Sequence, residues 1–288
     1  MGTSPAWHPG PMPSEEDLAE VAATRASMAA EAADEPGEEV RRVTDLTAGG
    51  VPCRLYEPDH PEGTGGLLVF FHGGGFVFGD LDTHDAHCRL LADRTGWAVL
   101  AVHYRRAPEH PYPAAVQDAE TVTVWLATQP AELAGVPGPR AVSGDSAGAN
   151  LALGVSLRHR GLYDAQVLVY PFLDPSCATY DRTISDPDFG VEDLAWFWRL
   201  YIQGADTAEV DLDPLRAADF AGLPRTLVQL AALDVLSVPG RQLAARLAED
   251  GVRVSIATYP GVGHGFWRHD DNDQRAPALA DLAAFLAA

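Results

Sequence analysis

The sequence predicts an α/β fold: an eight-stranded, mostly parallel sheet with helices on both faces and a helical cap. Three observations carry this expectation. From Val40 onward, short apolar runs of strand length alternate with helical stretches, the pattern of a sheet covered on both sides. Glycine-rich turns follow two of those runs directly, at His72–Gly75 and Gly144–Gly148. One long aromatic interruption, at about Ser176–Ala221, exceeds an ordinary connection and reads as an inserted cap.

The elements follow in chain order. Residues 1–39 form an N-terminal helical cap segment, in which Ser14 caps a helix running to Ala33 and Glu16 and Asp17 favour its positive dipole end. The acidic run of this helix reads as a solvated face. Val40–Leu46 and Val51–Tyr56, joined through Ala48-Gly49-Gly50, read as an antiparallel hairpin. Leu67–Phe71, Ala98–Tyr104, Arg140–Ser143, Gln166–Tyr170, Leu227–Leu230 and Val254–Tyr259 read as buried strands. Helices are expected near His84–Thr95, Ala114–Thr128, Ala147–Arg160, Pro239–Asp250 and Ala276–Ala287. Residues 40–288 then make one main domain, with the cap insertion at about 176–221.

Composition narrows the function classes. A chain of 288 residues with 47% hydrophobic content can bury a large single core. Its net charge of −21 repels polyphosphate backbones, so no nucleic acid partner is expected. Cys53, Cys88 and Cys177 are far apart and match no metal-ligand spacing, which suits free thiols in a reducing compartment. The opening MGTSPAWHPGPMPSEEDL lacks a basic n-region and an apolar run. No apolar segment reaches the roughly 20 residues needed to span a bilayer. A cytoplasmic protein with no membrane partner is the expectation, and a homo-oligomer stays open.

The chemistry concentrates in a few motifs. Gly144-Asp145-Ser146-Ala147-Gly148 lies between a predicted strand and a predicted helix, the setting in which GxSxG presents a nucleophilic serine on a sharp turn. Ser146 is therefore the candidate nucleophile, the rival being a serine that merely caps the helix. His72-Gly73-Gly74-Gly75-Phe76 leaves the strand Leu67–Phe71, and consecutive glycines let backbone N–H groups converge on one oxygen. A phosphate-cradling loop is the competing reading, but no Lys-Ser/Thr pair follows and the glycine spacing is wrong for a dinucleotide fold.

HGGGF, GDSAG and the intervening Tyr104–Ala115 stretch, YRRAPEHPYPAA, together resemble the bacterial hormone-sensitive lipase family of esterases, a branch of the α/β-hydrolases. The resemblance runs from about Val40 to the end. It implies an α/β-hydrolase catalytic domain in which Ser146 is the nucleophile and the N–H groups of Gly74, Gly75 and Ala147 form an oxyanion hole. In such proteins His72 shapes the loop and Asp145 is a structural acceptor. Chain order in this fold is Ser, then acid, then His. The acid falls at Asp234, behind Leu227–Leu230, and the base at His264, behind Val254–Tyr259 in a glycine-rich loop. The family shows Asp-Pro-Leu followed by another acid, whereas Asp234-Val235-Leu236-Ser237-Val238 keeps only the Asp and Leu, which puts the support of His264 in question.

Phe76, Phe78, Phe172, Trp196, Phe197 and Phe266 lie beside these loops or in the cap and are candidate substrate-pocket residues, with core packing as the alternative. Arg268–Asp273 could be imagined as a calcium site, but it lacks EF-hand spacing and reads as a solvated helix start. No metal or other cofactor is expected. The resemblance implies a serine carboxylesterase acting on small-molecule esters through an acyl-enzyme, and the Trp196-Phe197-Trp198 run of the expected cap suggests a pocket of limited size, suited to short to medium acyl chains. The alternatives are a deacetylase or amidase of a small acetylated metabolite and, in a different class, a non-catalytic small-molecule receptor.

Overall fold

The computed structural model describes residues 12–59, 65–136, 138–186, 189–206, 209–268 and 272–288. Eight strands form one sheet: β1 (Arg42–Ala48), β2 (Val51–Glu57), β3 (Leu67–Phe71), β4 (Ala98–Val102), β5 (Arg140–Asp145), β6 (Ala165–Val169), β7 (Arg225–Ala231) and β8 (Val254–Tyr259). Their spatial order is β1-β2-β4-β3-β5-β6-β7-β8. β1 and β2 run antiparallel through a two-residue turn at Gly49 and Gly50, whose φ values of 61° and 104° give the local twist a tight hairpin needs. β2 also pairs antiparallel with β4, and the remaining neighbours are parallel.

The strand side chains alternate between two cores. Leu67, Val69 and Phe71 of β3 face one core, while Leu68 and Phe70 face the other. Helices α2 (Asp85–Thr95) and α7 (Arg275–Ala287) cover the second face through Leu91, Leu279 and Leu282. Helices α3 (Ala114–Ala127), α4 (Ala147–Arg158) and α6 (Ser237–Glu249) cover the first through Val122, Leu151 and Leu243.

One strand departs from expectation. Val254–Tyr259 was expected to be buried, but β8 ends the sheet with a single neighbour, and Ile256 is 49% exposed. An apolar run bounded by turns reads alike for central and edge strands, so the sequence pattern alone does not separate them.

Two further helices sit over the strand ends. Helix α1 (Glu15–Ala33) begins in a reciprocal capping box between Ser14 and Asp17. Helix α5 (Val191–Ile202), from the aromatic insertion, buries Leu194, Phe197, Trp198 and Tyr201 in the first core, where Trp198 stacks on Phe172 at 4.2 Å. The two helices are tied together. Asp17 of α1 accepts from both Nη groups of Arg199, at 2.6 and 3.0 Å, and from Trp196 Nε1 at 2.7 Å. These bonds, the one to Arg199 foremost, hold the Asp17 carboxyl well below the usual carboxylate range. Arg25 of α1 donates to the carbonyls of Val77 and Ala107, joining α1 to the loops after β3 and β4.

Among the described residues no helix is long and apolar enough to cross a membrane, and no His, Cys, Asp and Glu group is arranged to hold a metal ion. The start of the chain, and 269–271 of the imagined calcium site, lie outside the described residues.

Candidate active site

Strand β5 delivers Ser146 to the C-terminal edge of the sheet, and α4 starts at the next residue. The turn between them is strained: Ser146 has φ 52° and ψ −116°, a region that costs a non-glycine residue free energy and clusters at functional sites. Small neighbours make this turn feasible. A Cβ on Gly148 would stand 1.8 Å from the Phe71 carbonyl oxygen, and one on Gly144 would stand 2.3 Å from the Gly148 carbonyl carbon. The absence of both side chains lets α4 lie directly against β3.

The three triad candidates are brought into one hydrogen-bonded line. Asp234, fully buried beyond the end of β7, places Oδ2 2.7 Å from His264 Nδ1, and its Oδ1 accepts from the Leu236 N–H at 2.8 Å. His264 Nε2 lies 2.8 Å from Ser146 Oγ. Because a carboxylate only accepts, the imidazole proton belongs on Nδ1, which leaves Nε2 bare to receive the serine proton. Burial lowers the His264 pKa, but the charge and hydrogen bond of Asp234, with the charges of Asp186 and Asp145, outweigh it, and the net shift is upward.

Gly74 and Gly75 border the same cavity as Ser146, and both adopt positive φ, 106° and 60°. Ala147 opens α4, where the first-turn N–H groups have no intrahelical acceptor. The glycine loop is braced from behind. Asp145 Oδ1 accepts from the Gly73 N–H at 2.7 Å, and Tyr104 donates its hydroxyl to the His72 carbonyl at 2.7 Å while its ring stacks on His72 at 4.2 Å. His72 is itself sealed in, and burial pushes its pKa down to about 3. It stays neutral here and lies beneath the loop, away from Ser146's partner nitrogen. Burial also raises the Asp145 pKa, against the pull of Arg268 and the Gly73 N–H.

The cavity holds about 350 Å³ and opens on Ser146 and His264. Of the six aromatic residues anticipated from the sequence, Phe78, Phe172 and Phe197 line it. Phe76, Trp196 and Phe266 do not. Phe76 stacks on Tyr201 at 3.8 Å inside the core, Trp196 turns its indole N–H to Asp17, and Phe266 packs on Tyr170 and Tyr259. The lining also includes residues that no motif marked: Met28 and Glu31 of α1, Phe189 and Leu194 of the insertion, and Arg268. Met28, Glu31, Phe189 and Leu194 carried no sequence signal beyond lying in the two expected cap segments, and Arg268 was marked only as the start of the imagined calcium site.

A nucleophile turn, an acid and a base in this chain order, at the C-terminal edge of such a sheet, define an α/β hydrolase. The family model described as alpha/beta hydrolase fold matches residues 68–268. The carboxylic ester hydrolase LipN of Mycobacterium tuberculosis is 38% identical, over 86% of this chain and 70% of its own. An ethyl acetate hydrolase of Pseudomonas putida is 37% identical, over 76% of this chain and 72% of its own. The crystal structure of an esterase from the bacterial hormone-sensitive lipase family superposes with a TM-score of 0.82 at 27% identity, covering 93% of this chain and 91% of that one. The chain belongs to the α/β-hydrolase fold family and, within it, to the hormone-sensitive lipase branch.

Proposed function

We propose that the protein is a serine carboxylesterase that cleaves small esters of short to medium acyl chains through an acyl-enzyme. The observation that carries this reading is the unbroken line Ser146–His264–Asp234, with contacts of 2.8 and 2.7 Å, at the floor of an apolar-walled cavity. His264 Nε2 takes the Ser146 proton as Oγ attacks the ester carbonyl. The carbonyl oxygen becomes an oxyanion that the N–H groups of Gly74, Gly75 and Ala147 receive. His264 then passes the proton to the departing alcohol, leaving the acyl group on Ser146. A water molecule, deprotonated by the same nitrogen, releases the acid and restores the serine. Asp234 stabilises the imidazolium in both halves.

Cavity size supports the chain-length part of the reading. About 350 Å³ lies toward the lower end of the roughly 300–1,000 Å³ common for small-ligand sites, and Phe197 leaves no room for even a methyl group at Gly75. Three free, buried cysteines are in keeping with a cytoplasmic location. Steady-state hydrolysis of p-nitrophenyl acetate, butyrate, octanoate and palmitate tests the proposal. Butyrate or shorter esters should give the highest kcat/KM, and Ser146→Ala should lower kcat by roughly four orders of magnitude or more. Equal rates on palmitate would overturn the size assignment, and an active Ser146→Ala variant the mechanism. Matched p-nitroanilides separate esterase from amidase turnover.

A further inference from the structure

The base is held by a second carboxylate that does not belong to the Ser–His–Asp line. Asp186 lies in the cap insertion just ahead of α5, and its Oδ2 accepts from the backbone N–H of His264 at 2.9 Å. Its other oxygen, Oδ1, accepts from the Phe189 N–H at 3.1 Å. Phe189 in turn presents its ring edge-on to the His264 imidazole, with centroids 5.6 Å apart and planes at 90°, and lines the catalytic cavity. One side chain thus fixes the base through its main chain and a wall of the substrate cavity through another.

This tie answers the question raised by the eroded segment after Asp234. There the acid expected beyond Asp-Pro-Leu is missing, and Val235 and Leu236 are buried apolar residues while Ser237 accepts from Arg241. Nothing in that stretch except Asp234 reaches His264. The loop carrying His264 is rich in glycine, Gly261, Gly263 and Gly265, so its backbone has many accessible conformations and a specific anchor narrows them. We propose that Asp186 is a positioning residue for His264, supplied by the cap, which holds the base in register with Ser146 and adds negative charge beside the imidazolium. The inference rests on the triad reading given above.

Several charged and titratable groups face His264: Asp234 behind β7 on Nδ1, Asp186 from the cap on the main chain, Asp145 at the end of β5, and Tyr170 beyond β6 with its ring at 4.7 Å. Arg268, four residues on, lines the same cavity. Removing the Asp186 charge leaves Asp234 as the main support for the imidazolium, so the base should lose its proton at lower pH. In Asp186→Asn the single amide oxygen can still accept from the His264 N–H while the bond from the Phe189 N–H is lost, so the tie to the base is kept and the charge is removed. Asp186→Ala loses both.

The experiment measures p-nitrophenyl butyrate hydrolysis from pH 5 to 9 for wild type, Asp186→Asn and Asp186→Ala, with rates expressed per fluorophosphonate-reactive site so that misfolded protein does not count, and for Ser146→Ala, with its rate expressed per mole of folded protein. Asp186→Ala should lose kcat by about tenfold to a hundredfold, the size expected for a lost hydrogen bond to a charged group, with KM little changed. Asp186→Asn should retain most of kcat, and the acid limb of its kcat/KM profile should move to lower pH. Unchanged rates in both variants overturn the assignment, and so does a loss in Asp186→Ala with no displaced limb in Asp186→Asn, which marks a brace without influence on the base. Activity in Ser146→Ala would instead defeat the triad reading itself.

Discussion

Ser146, His264 and Asp234 occupy positions set by three strand ends, and each makes a distinct demand. Ser146 needs a strained turn, so its neighbours must be small. Gly148→Ala would drive a Cβ to 1.8 Å from the Phe71 carbonyl oxygen and should destabilise the protein by roughly 3 kcal/mol or more, the upper end of overpacking costs. Urea denaturation checks this, and near wild-type stability would mean that α4 does not rest on β3 as described. Asp234→Asn should lower kcat by about 10⁴-fold while leaving the fold intact, because an amide can hold the wrong imidazole tautomer. The His264 pKa lies above the ordinary 6.5, since Asp234, Asp186 and Asp145 together outweigh burial. The base must be neutral to accept the serine proton, so kcat/KM should fall as pH drops through a value above 6.5. An acid limb centred below 6.5 would contradict that balance of charges.

The elements that carry these residues were legible to different degrees. Every strand was anticipated, because each is a short apolar run bounded by turn residues, and Leu67–Phe71 and Val254–Tyr259 match to the residue. Glycine-rich turns after β3 and β5 marked Gly74, Gly75 and Ser146, since tight backbone approach leaves a compositional trace. The cavity walls left none. Met28, Phe189 and Leu194 line one cavity because α1 and the stretch leading into α5 both border it, and no local period records such a meeting. Phe76 and Phe266 misled for the same reason: a ring next to a catalytic loop can point into the core. Asp186 is one acid in an acidic stretch, and only its bond to the His264 main chain distinguishes it. The bond between α1 and α5 has its own consequence. Asp17→Asn weakens the capping box and the pairing with Arg199 and Trp196, so amide exchange across Glu15–Ala33 should quicken while β5 and α4 keep their protection. Unchanged exchange would show that the Arg25 bonds and the apolar contacts of α1 hold it without Asp17.

Taken together, the molecule sets α1 and α5 beside the cavity that holds Ser146 and His264, at one edge of a large sheet, and seals several histidines in its interior. His72, His84 and His87 are buried, and His72 Nε2, His84 Nε2 and both His87 ring nitrogens lack a hydrogen-bond partner among the described residues. Burial lowers all three pKa values, that of His72 to about 3 and the other two well below 6.5. The unfolded chain therefore binds more protons than the folded one below pH 6.5. The stability these groups confer as neutral residues is complete above 6.5 and is lost as pH falls below it, for His72 through about 3. At pH 5 protonation of His72 accounts for a loss of roughly 2 kcal/mol, and His84 and His87 act in the same direction. The melting temperature should drop steeply between pH 7 and 5, and His87→Leu, in contact with Phe70 and Trp267, should flatten that slope by about one proton. A slope that does not change with the substitution would exclude His87 as a contributor.

The proposed chemistry begins with an activated hydroxyl on Ser146, and that can be observed without knowing the natural ester. Incubation with a fluorophosphonate, followed by intact-mass measurement and peptide mapping, should show one equivalent of label on Ser146 in the wild-type protein and none in Ser146→Ala. In His264→Ala the labelling rate should fall by several orders of magnitude, since the serine then lacks its base. Stoichiometric labelling at another residue, or a wild-type Ser146 that does not react, would contradict the proposed nucleophile.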